Sequence, residues 1–375
     1  MEEVPFDDRN VPRVEVDWTR SAWWWLPLTR SIQPAVRMNA LVVGLIASLL
    51  TTAGVWLAER LFQPAWQPTF DWHAASAPWY LPRPISWGSD VLQSLLSFER
   101  LQLRELGFLT FLLLWLTLTF GLLGGVLARR SLVELGQRTM ATWGESLQIV
   151  FSRWHSYLWS MGMHFVGIGA LLLPFLVLGL LSRLGTIGAS VAGILMLLCF
   201  PLVFAIGRFV LSAIVCFPLN VCAIAAEKKA DAFEGFSRSN AYFFQRPAVV
   251  ALCVAGLLII GSVGEQLVLW TITSGWWLIR GTYLLAGGAE QLASNRYVAA
   301  GNWLAAGLIS AYWFSFFWSG MAALYLILRK SVDHTEMDEL DSIESPVERS
   351  LPEIPSTPPP PPPPTTADAA ATAGE

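Results

Sequence analysis

Residues 107–128 read GFLTFLLLWLTLTFGLLGGVLA, 22 consecutive positions without a charged side chain. A bilayer core about 30 Å thick takes roughly 20 residues of apolar helix, so this stretch can cross one. Lipid offers no partner to an open backbone N–H or C=O, which leaves helices or closed barrels as the spanning structures. The alternation of a barrel strand is absent. Five further runs share the pattern, at 38–58, 160–182, 187–226, 248–273 and 302–328. The predicted fold class is therefore all-α, a polytopic transmembrane helical bundle of six spans with amphipathic surface helices. Composition agrees. Of 375 residues 54% are hydrophobic and 14% charged, with mean hydropathy +0.50, against about 25% charged in a soluble domain. A soluble enzyme is not expected from this composition, and disorder over most of the length is excluded.

The run 187–226 needs a separate decision. Forty residues of helix would measure about 60 Å, too long for one crossing. A split at Gly207-Arg208 would give seven spans, move Lys228, Lys229, Arg238 and Arg246 to the opposite side, and lacks a polar turn. The sequence favours one long helix, kinked near Pro201 or Pro218, whose outer end leaves the bilayer or lies tilted. With six spans, sixteen Lys and Arg fall on the side of the N-terminus and seven on the other. Basic loops stay inside, so both termini are predicted to be cytoplasmic. Residues 1–37 hold six acids and five arginines, unlike a cleavable signal, so the first run is read as an uncleaved anchor.

Outside the spans, the segment 59–105 is rich in Pro and Trp (Trp66, Trp72, Trp79, Trp87) and ends in a predicted amphipathic helix at 90–104. Trp23-Trp24-Trp25 and Trp276-Trp277 read as interfacial belts. The stretch 331–375 carries ten acids, one base and the seven prolines 358–364. It is predicted to be a disordered, acidic, Pro-rich cytoplasmic tail with a polyproline II segment, and is the candidate contact for a protein partner. Lipid is the expected environment. An acidic tail on a mildly basic body is a poor nucleic-acid binder.

Two loops on the cytoplasmic side share a pattern. Phe151-Ser152-Arg153 is followed by Tyr157, and Phe236-Ser237-Arg238 by Tyr242. The 85-residue offset suggests an internal repeat of inward span, surface helix and outward span. In the first copy Thr142 and Glu145 form a capping box. Trp143, Leu147, Val150, Trp154 and Tyr157 then share one helical face, for the inner headgroup layer or the bundle's inner end.

Within the spans only Arg208 and Glu265 are formally charged. Arg208 lies 17 residues before Ala225, near the cytoplasmic end of its span, and Glu265 17 residues after Ala248, the cytoplasmic start of its own, so both are about 26 Å deep. Such charges face the bundle interior or each other. They would line a polar path, or form a salt bridge locking the fourth and fifth spans, or Arg208 would snorkel to the headgroups. The other polar residues of the spans are few, among them Asn220, Gln266 and His164. The glycines 121, 124 and 125 read as close-packing positions, and His164 as a hydrogen-bonded packing residue. Cys199, Cys216, Cys222 and Cys253 sit in apolar runs without a CxxC and read as packing groups. No catalytic, metal-ligand or cofactor-binding motif is present, so no enzyme activity and no cofactor are expected.

From Phe200 to Pro247 a long apolar helix contains Arg208 and Pro218 and reaches Ala226-Glu227. A short charged turn, Ser237-Arg238-Ser239 and an aromatic run to Arg246-Pro247 follow. This layout resembles the membrane domains associated with glycerophosphoryl diester phosphodiesterases and related six-helix bacterial membrane proteins. The resemblance implies an all-helical inner-membrane bundle. It brings no active site, because the hydrolase of such proteins is a separate soluble domain. The function expected is a non-enzymatic membrane scaffold or partner-binding subunit. The alternative is a transporter or permease-like protein using Arg208 and Glu265.

Overall fold

The computed structural model describes residues 25–62, 103–227, 231–290, 295–335 and 337–340. Its helices are α1 Leu26–Arg30, α2 Ile32–Ala35, α3 Met38–Phe62, α4 Leu103–Gln137, α5 Trp143–Ser152, α6 Trp154–Leu181, α7 Gly185–Leu198, α8 Pro201–Ala226, α9 Ala232–Gln245, α10 Pro247–Gly287 and α11 Arg296–Val332. No strand occurs among the described residues. Six helices are long and apolar enough to cross a membrane. The predicted helix at 90–104 falls mostly outside the described residues, as do Trp23, Trp24 and the tail beyond Leu340.

The central helix is α11, buried over nearly all of 311–328. Around it the helices meet through glycines. The α3 backbone at Gly44 lies against the Ala311 backbone, and Gly124 of α4 against the Trp318 ring. Gly261 and Gly264 of α10 meet Phe316 and Tyr312, and Gly320 meets Leu257. Numbers rise along α10 as they fall along α11, so the two are antiparallel. Close backbone approach replaces the hydrophobic effect as the source of attraction in lipid. The close-packing role read for the glycines of α4 holds: Gly121 and Gly125 face Tyr157.

The long fourth helix does not form. The run breaks at Cys199-Phe200, giving α7 of 14 residues and α8 of 26. Pro201 has no N–H to offer the Leu197 carbonyl, and it starts the next helix at its first position. The Phe200 N–H takes that carbonyl instead, at 3.1 Å. Pro218, deep inside α8, leaves the helix unbroken. At about 21 Å, α7 is too short to cross a bilayer. Ahead of it Gly185 adopts φ 88° after the turn at Ser182–Leu184, a conformation open to glycine. Gly188 and Ala192 face the protein, while Ile187, Ile194, Leu197 and Leu198 are exposed.

The surface helices also depart from expectation. Thr142 Oγ1 accepts from the Glu145 N–H at 3.2 Å, as the capping box requires. The apolar face drawn through 143–157 is split, however, because the chain turns at Arg153 (φ −119°, ψ 23°). Val150 and Tyr157 are buried, whereas Leu147, Phe151 and Trp154 point outward. The other helix, α9, is wedged along α8: Gly235 meets Asn220 and Ile224, and Asn240 meets Ser212.

The start of the acidic tail is corrected too. Residues 337–340 lie back on α4 rather than forming part of a free tail. Gln137 Nε2 donates to the Asp338 and Leu340 carbonyls at 3.2 and 3.0 Å, and Arg329 Nη1 to the Glu339 carbonyl at 2.7 Å. Leu340 is buried. At the other end of the chain, α1 and α2 also pack on the bundle, with the Ser31 carbonyl accepting from Ser319 Oγ at 2.5 Å.

Candidate functional site

The last three turns of α8 are buried on every face, from Cys216 to Ala226. A helix ends with four carbonyls that have no partner in the helix, and these would be stranded. Two arginines from other elements supply the donors. Arg129 of α4 reaches the Ala225 and Ala226 carbonyls with Nη1, at 3.1 and 3.2 Å. Arg153, at the α5–α6 junction, reaches the Ile224 and Glu227 carbonyls at 3.3 and 2.6 Å. Both cations also sit at the negative end of the helix dipole. Arg129 is itself 2% exposed, with Glu145 at 3.7 Å.

A third arginine closes the cluster. Arg238 of α9 forms ion pairs with Glu227 and, at 2.6 Å, with Glu234. Burial works against its charge, but the adjacent carboxylates outweigh it and hold the guanidinium above its ordinary range. Tyr242 donates to Asp333 and packs 5.9 Å from the Tyr325 ring. Burial above all, then Tyr325 and Asp333, push its hydroxyl up. At the same end of the bundle Arg37 pairs with Glu134 at 2.7 Å, and Arg130 stacks 3.8 Å over Trp143. These groups make one end of the molecule rich in arginines and interlocked by ion pairs.

Motif residues Arg153, Arg238, Tyr157 and Tyr242 therefore gather around the end of α8, but not as equivalents. Arg153 caps α5 and Tyr157 begins a span, while Arg238 and Tyr242 both lie inside α9. Phe151 and Ser152 are exposed at the end of α5, whereas Phe236 stacks edge-on to His164 at 4.8 Å. The real correspondence is between helix starts. Asp231 caps α9 through the Glu234 N–H at 2.8 Å, as Thr142 caps α5 through Glu145. Those pairs stand 89 residues apart in the sequence, a register different from the 85-residue offset of the two Phe-Ser-Arg motifs.

A second polar group joins α6, α8 and α9. His164, fully buried, places Nδ1 3.0 Å from the Ser160 carbonyl and Nε2 2.9 Å from Ser212 Oγ. Ser212 donates to Asn240 Oδ1 at 2.6 Å, and Asn220 accepts from Ser239. A histidine beside a serine hydroxyl suggests a nucleophile and its base. Here the serine proton is engaged by Asn240, and the ring is sealed from water, so the arrangement holds three helices in register. Among the described residues no group of three or more His, Cys, Asp or Glu could hold a metal.

The predicted pairing of Arg208 with Glu265 does not occur. Arg208 is exposed and lies 4.1 Å over the Phe244 ring. Phe244 stands three residues before the start of α10, and Glu265 is 18 residues beyond that start, about 27 Å farther along the helix. The depth argument took α8 and α10 to leave from one plane. Instead α9 runs back along α8, so the end of α9 and the start of α10 lie beside Arg208. Changes of Arg208 and Glu265 to Leu and Gln are thus expected to add, within about 0.5 kcal/mol. A double-mutant cycle on detergent-solubilised protein checks this; coupling above about 1 kcal/mol would restore the pair.

No family model, no curated protein and no solved structure matches this chain.

Proposed function

We propose that this integral membrane protein is a multi-pass protein of the cell membrane, a bacterial inner membrane, with its arginine-rich end and both termini in the cytoplasm. We propose further that it acts as a non-enzymatic scaffold that holds a protein partner through the acidic, Pro-rich tail. The observation that carries this reading is the engagement of Arg129 and Arg153 with the end of α8. The two guanidiniums join helices from separate parts of the chain and tie the arginine-rich end together, which suits a platform. The gathering of Arg37, Arg129, Arg130, Arg153, Arg329 and Lys330 at one end supports the cytoplasmic assignment. The resemblance of 200–247 to phosphodiesterase-associated membrane domains fits the same placement.

Mild crosslinking before purification tests the scaffold. A partner should co-purify with the full chain and be lost when residues 341–375 are removed. A partner that persists after truncation would overturn the role of the tail. A cysteine placed at position 355 should react only with reagent admitted to the cytoplasm. Labelling from outside would reverse the orientation.

A further inference from the structure

Arg37 and Arg130 stand where two apolar helices leave the hydrocarbon. Arg37 directly precedes α3, and Arg130 comes two residues after the charge-free run 107–128. Both therefore lie at headgroup level, at the arginine-rich end. Val36 and Met38, on either side of Arg37, are exposed, so apolar side chains flank this cation as they do at a lipid boundary. Arg130 lies 3.8 Å over the Trp143 ring, which holds its guanidinium flat. Glu134, one turn of α4 beyond Arg130, takes Arg37 at 2.7 Å. Arg37 is near enough to repel Arg130. Two cations thus share one carboxylate.

The protein gives Arg130 no acceptor of its own. Its Nη1 is buried without a hydrogen-bond partner, and among the described residues no carboxylate pairs with it. The other acids of this end are engaged elsewhere: Glu145 with Arg129, Glu227 and Glu234 with Arg238, and Asp333 with Tyr242. Asp338 and Glu339 belong to the segment held at Gln137 and Arg329, and Gln137 is about 10 Å along α4 from Arg130. A buried donor left without a partner is costly. Arg130 keeps a part-exposed edge, and an arginine fork stays charged and matches the oxygens of a phosphate.

We propose that Arg130 and Arg37 bind the phosphate of an anionic phospholipid in the leaflet at this end, with Trp143 as the shelf that positions Arg130. A phosphodiester with an uncharged head alcohol, as in phosphatidylglycerol, supplies the one negative charge that the cluster lacks. Phosphatidylcholine brings a cation of its own beside the phosphate and meets the two arginines less well. Basic pockets between spanning helices hold anionic headgroups by the same chemistry. The site goes beyond the scaffold reading and does not depend on it, because that reading rests on residues 341–375.

Native mass spectrometry of the full chain tests it. The protein is loaded in detergent with equimolar phosphatidylglycerol and phosphatidylcholine of identical acyl chains, and the retained lipids are compared. Phosphatidylglycerol should be retained over phosphatidylcholine by about fivefold, the effect of one arginine near an anionic surface. Arg130→Gln should bring the two lipids level, and Trp143→Leu should remove part of the preference. Arg138→Gln, at an exposed arginine of the same end, should leave it intact. Glycerol phosphate in excess should not displace the lipid. Equal retention of both lipids by the wild type, or the same loss from Arg138→Gln as from Arg130→Gln, would overturn the proposal. Displacement by glycerol phosphate would make a free phosphate the ligand and overturn it too. A preference that emerges only when residues 341–375 are removed would make the acidic tail the occupant, with the same consequence. Should Arg130→Gln fail to fold, Trp143→Leu takes its place in the comparison with Arg138→Gln.

Discussion

Replacing Arg129 or Arg153 with Met is expected to lower the stability of the detergent-solubilised protein by about 3 kcal/mol in each case. Each change removes two hydrogen bonds to carbonyls at a buried helix end. Bonds to charged groups contribute about 1.5–3 kcal/mol, and a buried acceptor left unsatisfied costs about 1–3 kcal/mol. The same change at Arg138, which is exposed, should fall within about 0.5 kcal/mol of wild type. Thermal or denaturant unfolding in one micelle system compares the three. If Arg129→Met proves as silent as Arg138→Met, the guanidinium does not support the end of α8. Lys at either position should recover part of the loss, since an ammonium reaches one carbonyl more readily than two.

Gly44→Val is expected to cost at least about 3 kcal/mol or to abolish the folded species. A Cβ at Gly44 would run into the Ala311 carbonyl oxygen and come within 3.0 Å of its carbonyl carbon and Cα. The obstruction is backbone of the central helix, so no side chain can rotate away and α3 would have to move off α11. Overpacking of a tight contact usually costs about 1–3 kcal/mol, occasionally more, and valine adds two methyls beyond the Cβ. Gly275→Ala is the control. No atom lies within 4 Å of a Cβ built there, so it should be neutral or stabilise by up to about 1 kcal/mol through helix propensity. Gel filtration with a thermal ramp separates the two. A fully stable Gly44→Val would mean that the α3–α11 approach is looser than described.

The hydrophobic runs located every span to within a few residues at one end, because transfer into lipid is a property of composition and length. The Thr142–Glu145 cap was equally legible, since it is local and its geometry repeats. What depended on how elements meet was not. Pro201 was visible, but whether it kinks or ends a helix turns on where the freed Leu197 carbonyl finds a donor. The level of Arg208 against Glu265 turned on the path of α9, whose amphipathic sequence suits a membrane surface as well as a groove along α8. Residues 333–335 and 337–340 read as part of a solvated acidic segment because its charges dominate the letters. Apart from the Asp333 carboxylate, which accepts from Tyr242, their anchors are backbone carbonyls held by Gln137 and Arg329, and every residue carries a carbonyl. In the sequence Arg129 is one of the basic residues that set the topology and Arg153 belongs also to the repeated Phe-Ser-Arg motif, and nothing in their neighbourhood marks either as the partner of a helix end made much later in the chain.

That separation sets a schedule for biosynthesis. Arg129 precedes its two acceptors by 96 and 97 residues, and Arg153 precedes its own by 71 and 74. At about 5–20 residues per second, a ribosome exposes both guanidiniums for roughly 4–20 s before the carbonyls that hold them exist. During that interval water or lipid phosphate has to host the two charges, and the arginine-rich end stays open. It closes in one late step, when α8 arrives, so a nascent chain stalled between Arg153 and Ala225 would be inserted but unlocked.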